Sequence, residues 1–222
     1  MEVKICGITN LDDAYWAVES GAHALGLVFY PKSPRFVSPE DAARIVEELR
    51  GMVAFVGVFV NEDPRRAILL AKSLGLDFIQ LHGHENPEEW RAKEAPPLIK
   101  ATRTTEEELS TLGNWSSAWA ILVDGFDPTV HSSTGRAVDW SVASTLRSLG
   151  RLILAGGLHE GNLREAARIV RPDAVDVSSG VEATPGRKDP RKMKRFIELA
   201  RTLWFGERSV FRSQGGQKNG RA

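Results

Sequence analysis

The sequence predicts an α/β protein folded as a single-domain (β/α)8 TIM barrel. Three observations support this. Short, near-continuously apolar β-type runs alternate with amphipathic stretches along the 222 residues, and eight such runs can be counted. Strands covered by helices on both faces read this way, rather than as alternating apolar and polar positions. No linker divides the chain, and eight strand–helix units in a chain of this length close into a barrel. The competing architecture is an open doubly wound sheet. No Gly-x-Gly-x-x-Gly follows the first strand, which argues against a dinucleotide site there.

Taken in order, the predicted strands are Val3–Cys6, Ala24–Phe29, Val53–Val60, Phe78–Leu81, Leu98–Ala101, Ala120–Val123, Leu152–Ala155 and Ala174–Val177. Helical spacing lies between them, as in Ala42-Ala43-Ile45-Val46-Leu49 and Ile68-Leu69-Ala71-Leu74. Four helix starts are marked by a capping side chain before a proline: "SPED" at Ser38, "DPRR" at Asp63, "NPEE" at Asn86 and "DPRK" at Asp189. The cap accepts otherwise unpaired amide hydrogens, and proline at the first helical position has none to leave unpaired. The pattern collapses at Phe205. "FGERSVFRSQGGQKNGRA" has few apolar residues and no period, so a catalytic barrel over 1–204 is expected to carry a flexible tail over 205–222.

Composition narrows the function classes. Lys+Arg and Asp+Glu balance at 29 each, so no overall field draws nucleic acid or an anionic membrane. The one cysteine excludes an internal disulfide and a Cys-rich zinc site, and fits a reducing compartment. No signal pattern opens the chain, and no apolar run approaches a membrane span. A cytoplasmic enzyme acting on a small molecule is expected, with no metal.

In a barrel of this kind the site lies at the C-terminal ends of the strands. The residues there include Cys6, Phe29, His82, Asp124 and Asp176. Alternation along a strand turns Lys4 and Cys6 inward, and likewise Gln80 with His82 and Leu122 with Asp124. A thiol, an imidazole and carboxylates then converge on one mouth, which a hydrophobic core would not gather by preference. Plain alternatives exist: a buried thiol acting as a small hydrophobe, His82 as an orienting partner, and Asp176 as an ion-pair partner of Lys4 across neighbouring first and eighth strands.

Two loops read as an anion cradle. "LAGGL" follows the seventh strand and "DVSSGVE" the eighth, offering Gly156, Gly157, Ser179 and Gly180. Glycine lets backbone amides approach a phosphate, and a short helix N-terminus adds partial positive charge. The loop "YPKSPRFVS" after the second strand presents Lys32 and Arg35, and an arginine can hold a carboxylate through two parallel hydrogen bonds.

The ordered set "KICGIT", "GLVFYPKSPR", "VGVFVN", "QLHG", "LVD" then "STGRAVDW", "LAGGL" and "VDVSSGVEATPGRKD" closely resembles the phosphoribosylanthranilate isomerases of tryptophan biosynthesis, from about Val3 to about Leu203. The resemblance implies an Amadori rearrangement of N-(5-phosphoribosyl)anthranilate to 1-(2-carboxyphenylamino)-1-deoxyribulose 5-phosphate. It implies Cys6 as general base, Asp124 as general acid and Arg35 on the anthranilate carboxylate. It also implies no cofactor, because no electrons leave the substrate, and either a monomer or a homodimer. His82 and Asp176 are carried as substrate-binding candidates beside the loop glycines and Ser179. The sequence departs from the family at Ser132, Ser133 and Val138, and at Gly125 after the acid.

An acid at Asp124 and a thiolate at Cys6 are mismatched near neutral pH, since a free carboxyl is ionised there and a free thiol mostly protonated. The site must therefore shift both. Rival readings are an aminoimidazole-carboxamide ribotide isomerase, an indole-3-glycerol-phosphate synthase and a non-catalytic phosphosugar-binding barrel. The first places aspartates at the ends of strands one and five, where this chain has Cys6 and "IKAT". The second needs Lys and Glu groups that find no place here. The third would need neither Cys6 nor Asp124.

Overall fold

The structure, a computed structural model, describes residues 1–90, 94–124, 139–203 and 208–211. Eight parallel strands close in sequence order: β1 (Glu2–Cys6), β2 (Ala24–Val28), β3 (Ala54–Phe59), β4 (Phe78–Leu81), β5 (Leu98–Thr102), β6 (Ala120–Val123), β7 (Arg151–Leu154) and β8 (Ala174–Val177). Closure is made by β1 against β8, with Lys4 opposite Asp176. The bounds differ from the sequence reading by a residue at some ends, where pairing begins or stops just inside or just outside the apolar run.

Around the barrel lie α1 (Leu11–Ser20), α2 (Pro39–Leu49), α3 (Pro64–Leu74), α4 (Pro87–Trp90), α5 (Glu106–Thr111), α6 (Trp140–Thr145), α7 (Leu163–Val170) and α8 (Pro190–Thr202). Ser38, Asp63 and Asp189 accept amide hydrogens from the first turns of α2, α3 and α8, and Asn86 does so from Glu88. Among the described residues, no helix is long and apolar enough to cross a membrane. Beyond β8, a two-stranded ribbon of β9 (Glu182–Thr184) and β10 (Arg187–Lys188) folds beside the mouth.

Strand alternation divides the core in two. Val3, Ile5, Leu25, Leu27, Ile121 and Val123 pack outward with the helices. Ala24, Val56, Phe78, Ile99, Leu122 and Ile153 fill the barrel. The inward face of β1 runs from Glu2 at the base, through Lys4, to Cys6 at the mouth.

The base of the barrel carries an element that the sequence pattern does not reveal. Residues 208–211 dock there, with Val210 and Phe211 buried in the inner cluster. The Glu2 carboxylate accepts both of their amide hydrogens at 2.8 Å. Trp119 Nε1 donates to the Val210 carbonyl, and Phe211 meets Phe78 edge to face. The expectation of a fraying tail is therefore corrected for these four residues. Two apolar side chains suffice when the inside of a barrel supplies their neighbours; no helical or strand period is needed. The rest of that expectation, on 205–207 and 212–222, lies outside the described residues.

Candidate active site

Cys6 closes β1 and is half-buried at the mouth. Its neighbours are set by register. On one side Lys4 faces Asp176, with Nζ 3.0 Å from Oδ2. On the other, Cys6 pairs with Gly26 of β2. A Cβ on Gly26 would lie 2.8 Å from the Cys6 sulfur and 3.1 Å from Lys4 Cε. The missing side chain is what lets the thiol and the lysine stem share that space. The sequence reading of Asp176 as a partner of Lys4 is what the geometry shows.

Burial pushes the Cys6 thiol up, and the Asp176 charge adds to this, while Lys4 and Lys188 pull against it. Burial alone would lower Lys4, but Asp176 and then Cys6 hold the ammonium above the ordinary lysine value. Asp176 itself is raised because its burial outweighs the Lys4 attraction. A buried pair of this kind costs desolvation that the Coulomb gain only partly offsets.

Across the mouth, His82 Nε2 stands 3.2 Å from Asp124 Oδ2. Gln80, two residues back on the same inward face, places Nε2 2.9 Å from His82 Nδ1. With the Gln80 amide donating, Nδ1 accepts and the Nε2 hydrogen points to Asp124. Two buried oxygens, Gln80 Oε1 and Asp176 Oδ1, have no hydrogen-bond donor among the described residues. Buried acceptors without partners are rare in a finished core and suit a site that takes up hydroxyl groups of a ligand.

The loop after β2 brings Arg35 back over the end of β1. Arg35 Nε and Nη2 each donate to a Glu182 carboxylate oxygen at 2.7 Å. A Cβ on Gly7 would lie 2.6 Å from Arg35 Cδ, so Gly7 clears the path of the arginine stem. Lys188 Nζ, fully buried, shares the same carboxylate at 3.0 Å. Lys32 of the same loop is exposed. Glu182, Lys188, Gly7 and Gly26 are given no role by the sequence reading, and Gln80 enters it only as the inward neighbour of His82.

The two glycine loops do meet. Gly180 approaches the Leu158 carbonyl so closely that any side chain would collide with it. Gly180 therefore joins the two loops. Gly156 and Gly157 take positive φ of 80° and 64°. Among the described residues, none of the amide hydrogens of Gly156, Gly157, Ser179 and Gly180 is used in the loops' own hydrogen bonds. The departures at Gly125, Ser132, Ser133 and Val138 lie outside the described residues.

A thiol, an imidazole–carboxylate pair and an anchored guanidinium thus face one opening beside a two-loop anion cradle. The sequence profile of a family described as N-(5'phosphoribosyl)anthranilate (PRA) isomerase matches residues 3–199. The N-(5'-phosphoribosyl)anthranilate isomerase of Citrifermentans bemidjiense is 46% identical over 203 residues, covering 91% of this chain and 98% of its own. That of Thermotoga maritima is 48% identical over 206 residues, covering 91% of this chain and 100% of its own. A crystal structure of the Thermotoga maritima enzyme superposes with a TM-score of 0.84. A phosphoribosyl anthranilate isomerase crystallised with reduced 1-(o-carboxyphenylamino)-1-deoxyribulose 5-phosphate does so at 0.81, with 47% identity, covering 91% of this chain and 100% of that one.

Proposed function

Because the chain belongs to the N-(5'-phosphoribosyl)anthranilate isomerase family, we propose that it converts N-(5-phosphoribosyl)anthranilate to 1-(2-carboxyphenylamino)-1-deoxyribulose 5-phosphate, with Asp124 as general acid and Cys6 as general base. Asp124 gives a proton to the furanose ring oxygen. The bond from that oxygen to C1 breaks, and the nitrogen lone pair closes a C1=N Schiff base. That cation acidifies the proton on C2. The Cys6 thiolate removes it, leaving an enolamine that tautomerises by gaining a proton at C1 and losing the hydroxyl proton at C2. Atoms balance within the substrate, so the reaction consumes no co-reactant.

The chief support is the convergence of the half-buried thiol and the His82–Asp124 pair on one mouth, with Asp176 and Lys4 beside them. His82 and Asp176 are assigned to the sugar hydroxyls, and Arg35, braced by Glu182, to the anthranilate carboxylate. The unused amides of Gly156, Gly157, Ser179 and Gly180 are assigned to the phosphate. A cytoplasmic setting follows from the single free cysteine and the small-molecule chemistry. The structural relatives include monomers generated from a dimeric enzyme of Thermotoga maritima, and this chain is assigned either state. The test is direct. Purified protein is given phosphoribosylanthranilate, and loss of its anthranilate-type fluorescence is followed. Saturable turnover without added metal or cofactor supports the reading, and no turnover by intact protein removes it.

A further inference from the structure

Lys4 is the most deeply buried charge among the described residues, with no exposed surface, and the acid–base scheme gives it no part. A lysine there solely to neutralise Asp176 would need no route to the thiol. Yet its stem and the Cys6 sulfur crowd over the same bare Gly26. Its ammonium stands 3.0 Å from Asp176 Oδ2 and also reaches the Cys6 sulfur. It therefore has a donor beside a sulfur that must carry negative charge.

The wider charge balance points the same way. The groups facing Cys6 are Lys4 on its own strand, Asp176 on β8, Lys188 on β10 and Arg35 from the loop after β2. Glu182 binds both of the last two, and Gly26 of β2 carries no charge. Asp124 and His82 lie farther round and act on Asp176. Three cations thus stand against two carboxylates, Asp176 and Glu182. A negative charge formed on the Cys6 sulfur would bring the cluster to balance.

We propose that Lys4 is a positioning residue that favours the Cys6 thiolate against the burial that opposes it, with Asp176 steering the ammonium and Gly26 keeping the space between them open. The role in turnover rests on the reading of Cys6 as base; the link between Lys4 and the thiol does not. The thiol proton leaves to water, and attraction to the ammonium offsets part of the hydration that burial removes. Direct charge contact of this type moves a pKa by one to three units.

The chain has one cysteine, so its titration can be read without ambiguity. The experiment measures alkylation of Cys6 by iodoacetamide against pH, scored by intact mass. The midpoint is compared between Asp176→Asn and Lys4→Met/Asp176→Asn, and between wild type and Lys4→Met. The paired background matters because Lys4→Met alone strands a buried carboxylate and can cost folding. The midpoint is read, not a single rate, because a thiol of higher pKa is also intrinsically more nucleophilic. Removing Lys4 is expected to raise the midpoint by about one unit or more, a tenfold loss of thiolate at lower pH. The acid limb of kcat/KM in Lys4→Met should move up in parallel. Equal midpoints in the folded Asp176 pair would overturn the proposal and leave Lys4 as a structural counter-ion. The base reading is judged separately by the turnover of Cys6→Ser, so either can fail without the other.

Discussion

Arg35 is clamped by Glu182 across 147 residues of sequence, through two parallel hydrogen bonds of 2.7 Å. The clamp fixes one edge of the guanidinium and leaves Nη1 for a ligand. Arg35→Ala should therefore act on recognition of the aromatic acid. Loss of a charged hydrogen-bonding partner costs about 1.5–3 kcal/mol, so KM should rise roughly ten- to a hundredfold with kcat little changed. A substrate analogue without the carboxylate should bind mutant and wild type equally. Continued preference of the mutant for the carboxylate-bearing ligand would make Arg35 an ordinary loop residue.

The same clamp has a pH signature. Burial raises the Glu182 carboxyl, but Arg35 and Lys188 outweigh burial and hold it below its ordinary 4.5. The folded state then binds this proton less tightly than the unfolded state. Its contribution to stability is present above about 4.5 and is lost as pH falls through the lower folded value. Melting temperatures of wild type and Glu182→Gln, taken from pH 6 downward, should converge on acidification. A constant gap across that range would mean that the charge is not what stabilises the ribbon.

Gly180→Ala should separate the two phosphate loops, because the added methyl meets the Leu158 carbonyl. Phosphate recognition should suffer most: KM rises, and inhibition by inorganic phosphate weakens. Unchanged phosphate inhibition in the folded variant would place the anion elsewhere.

The buried end of the chain should matter to stability and not to catalysis. Phe211 is 5% exposed beneath the barrel, at the end opposite Cys6. Phe211→Ala should cost about 3 kcal/mol, the lower end of the range for a buried phenylalanine. For a chain of this size that lowers Tm by roughly 6–12 °C. Single-turnover rates at low temperature should match wild type. An unchanged Tm would show that the segment does not hold the base of the barrel in solution.

These effects also mark the limits of sequence reading. The strands were legible because β2, β3 and β8 lie buried on both faces and cannot afford polar alternation. The helix starts were legible because Ser38, Asp63 and Asp189 announce themselves beside prolines. Cys6, His82 and Asp124 could be gathered because strand ends in a barrel share one mouth. The Arg35–Glu182 clamp could not, since its register is set by a ribbon of five paired-strand residues with no apolar pattern. Lys188 stands just before the Asp189 cap of α8 and Gly26 inside an apolar strand, positions whose neighbours in sequence give no sign of a role. Val210 and Phe211 dock through contacts with Glu2, Phe78 and Trp119, which no local window contains.

The central claim is that the Cys6 sulfur removes the substrate's proton, and Cys6→Ser tests it most directly when Tm and single-turnover rate are measured on the same preparation. The change is nearly isosteric at a half-buried strand end, so Tm should hold. A serine alkoxide is scarcely available near neutral pH, and general acid–base groups supply roughly 10²–10⁴-fold in rate. The account predicts a folded protein with wild-type Tm and a single-turnover rate reduced by at least that range, with Asp124→Asn behaving alike. A folded Cys6→Ser protein with near wild-type turnover would contradict it and remove Cys6 from the mechanism.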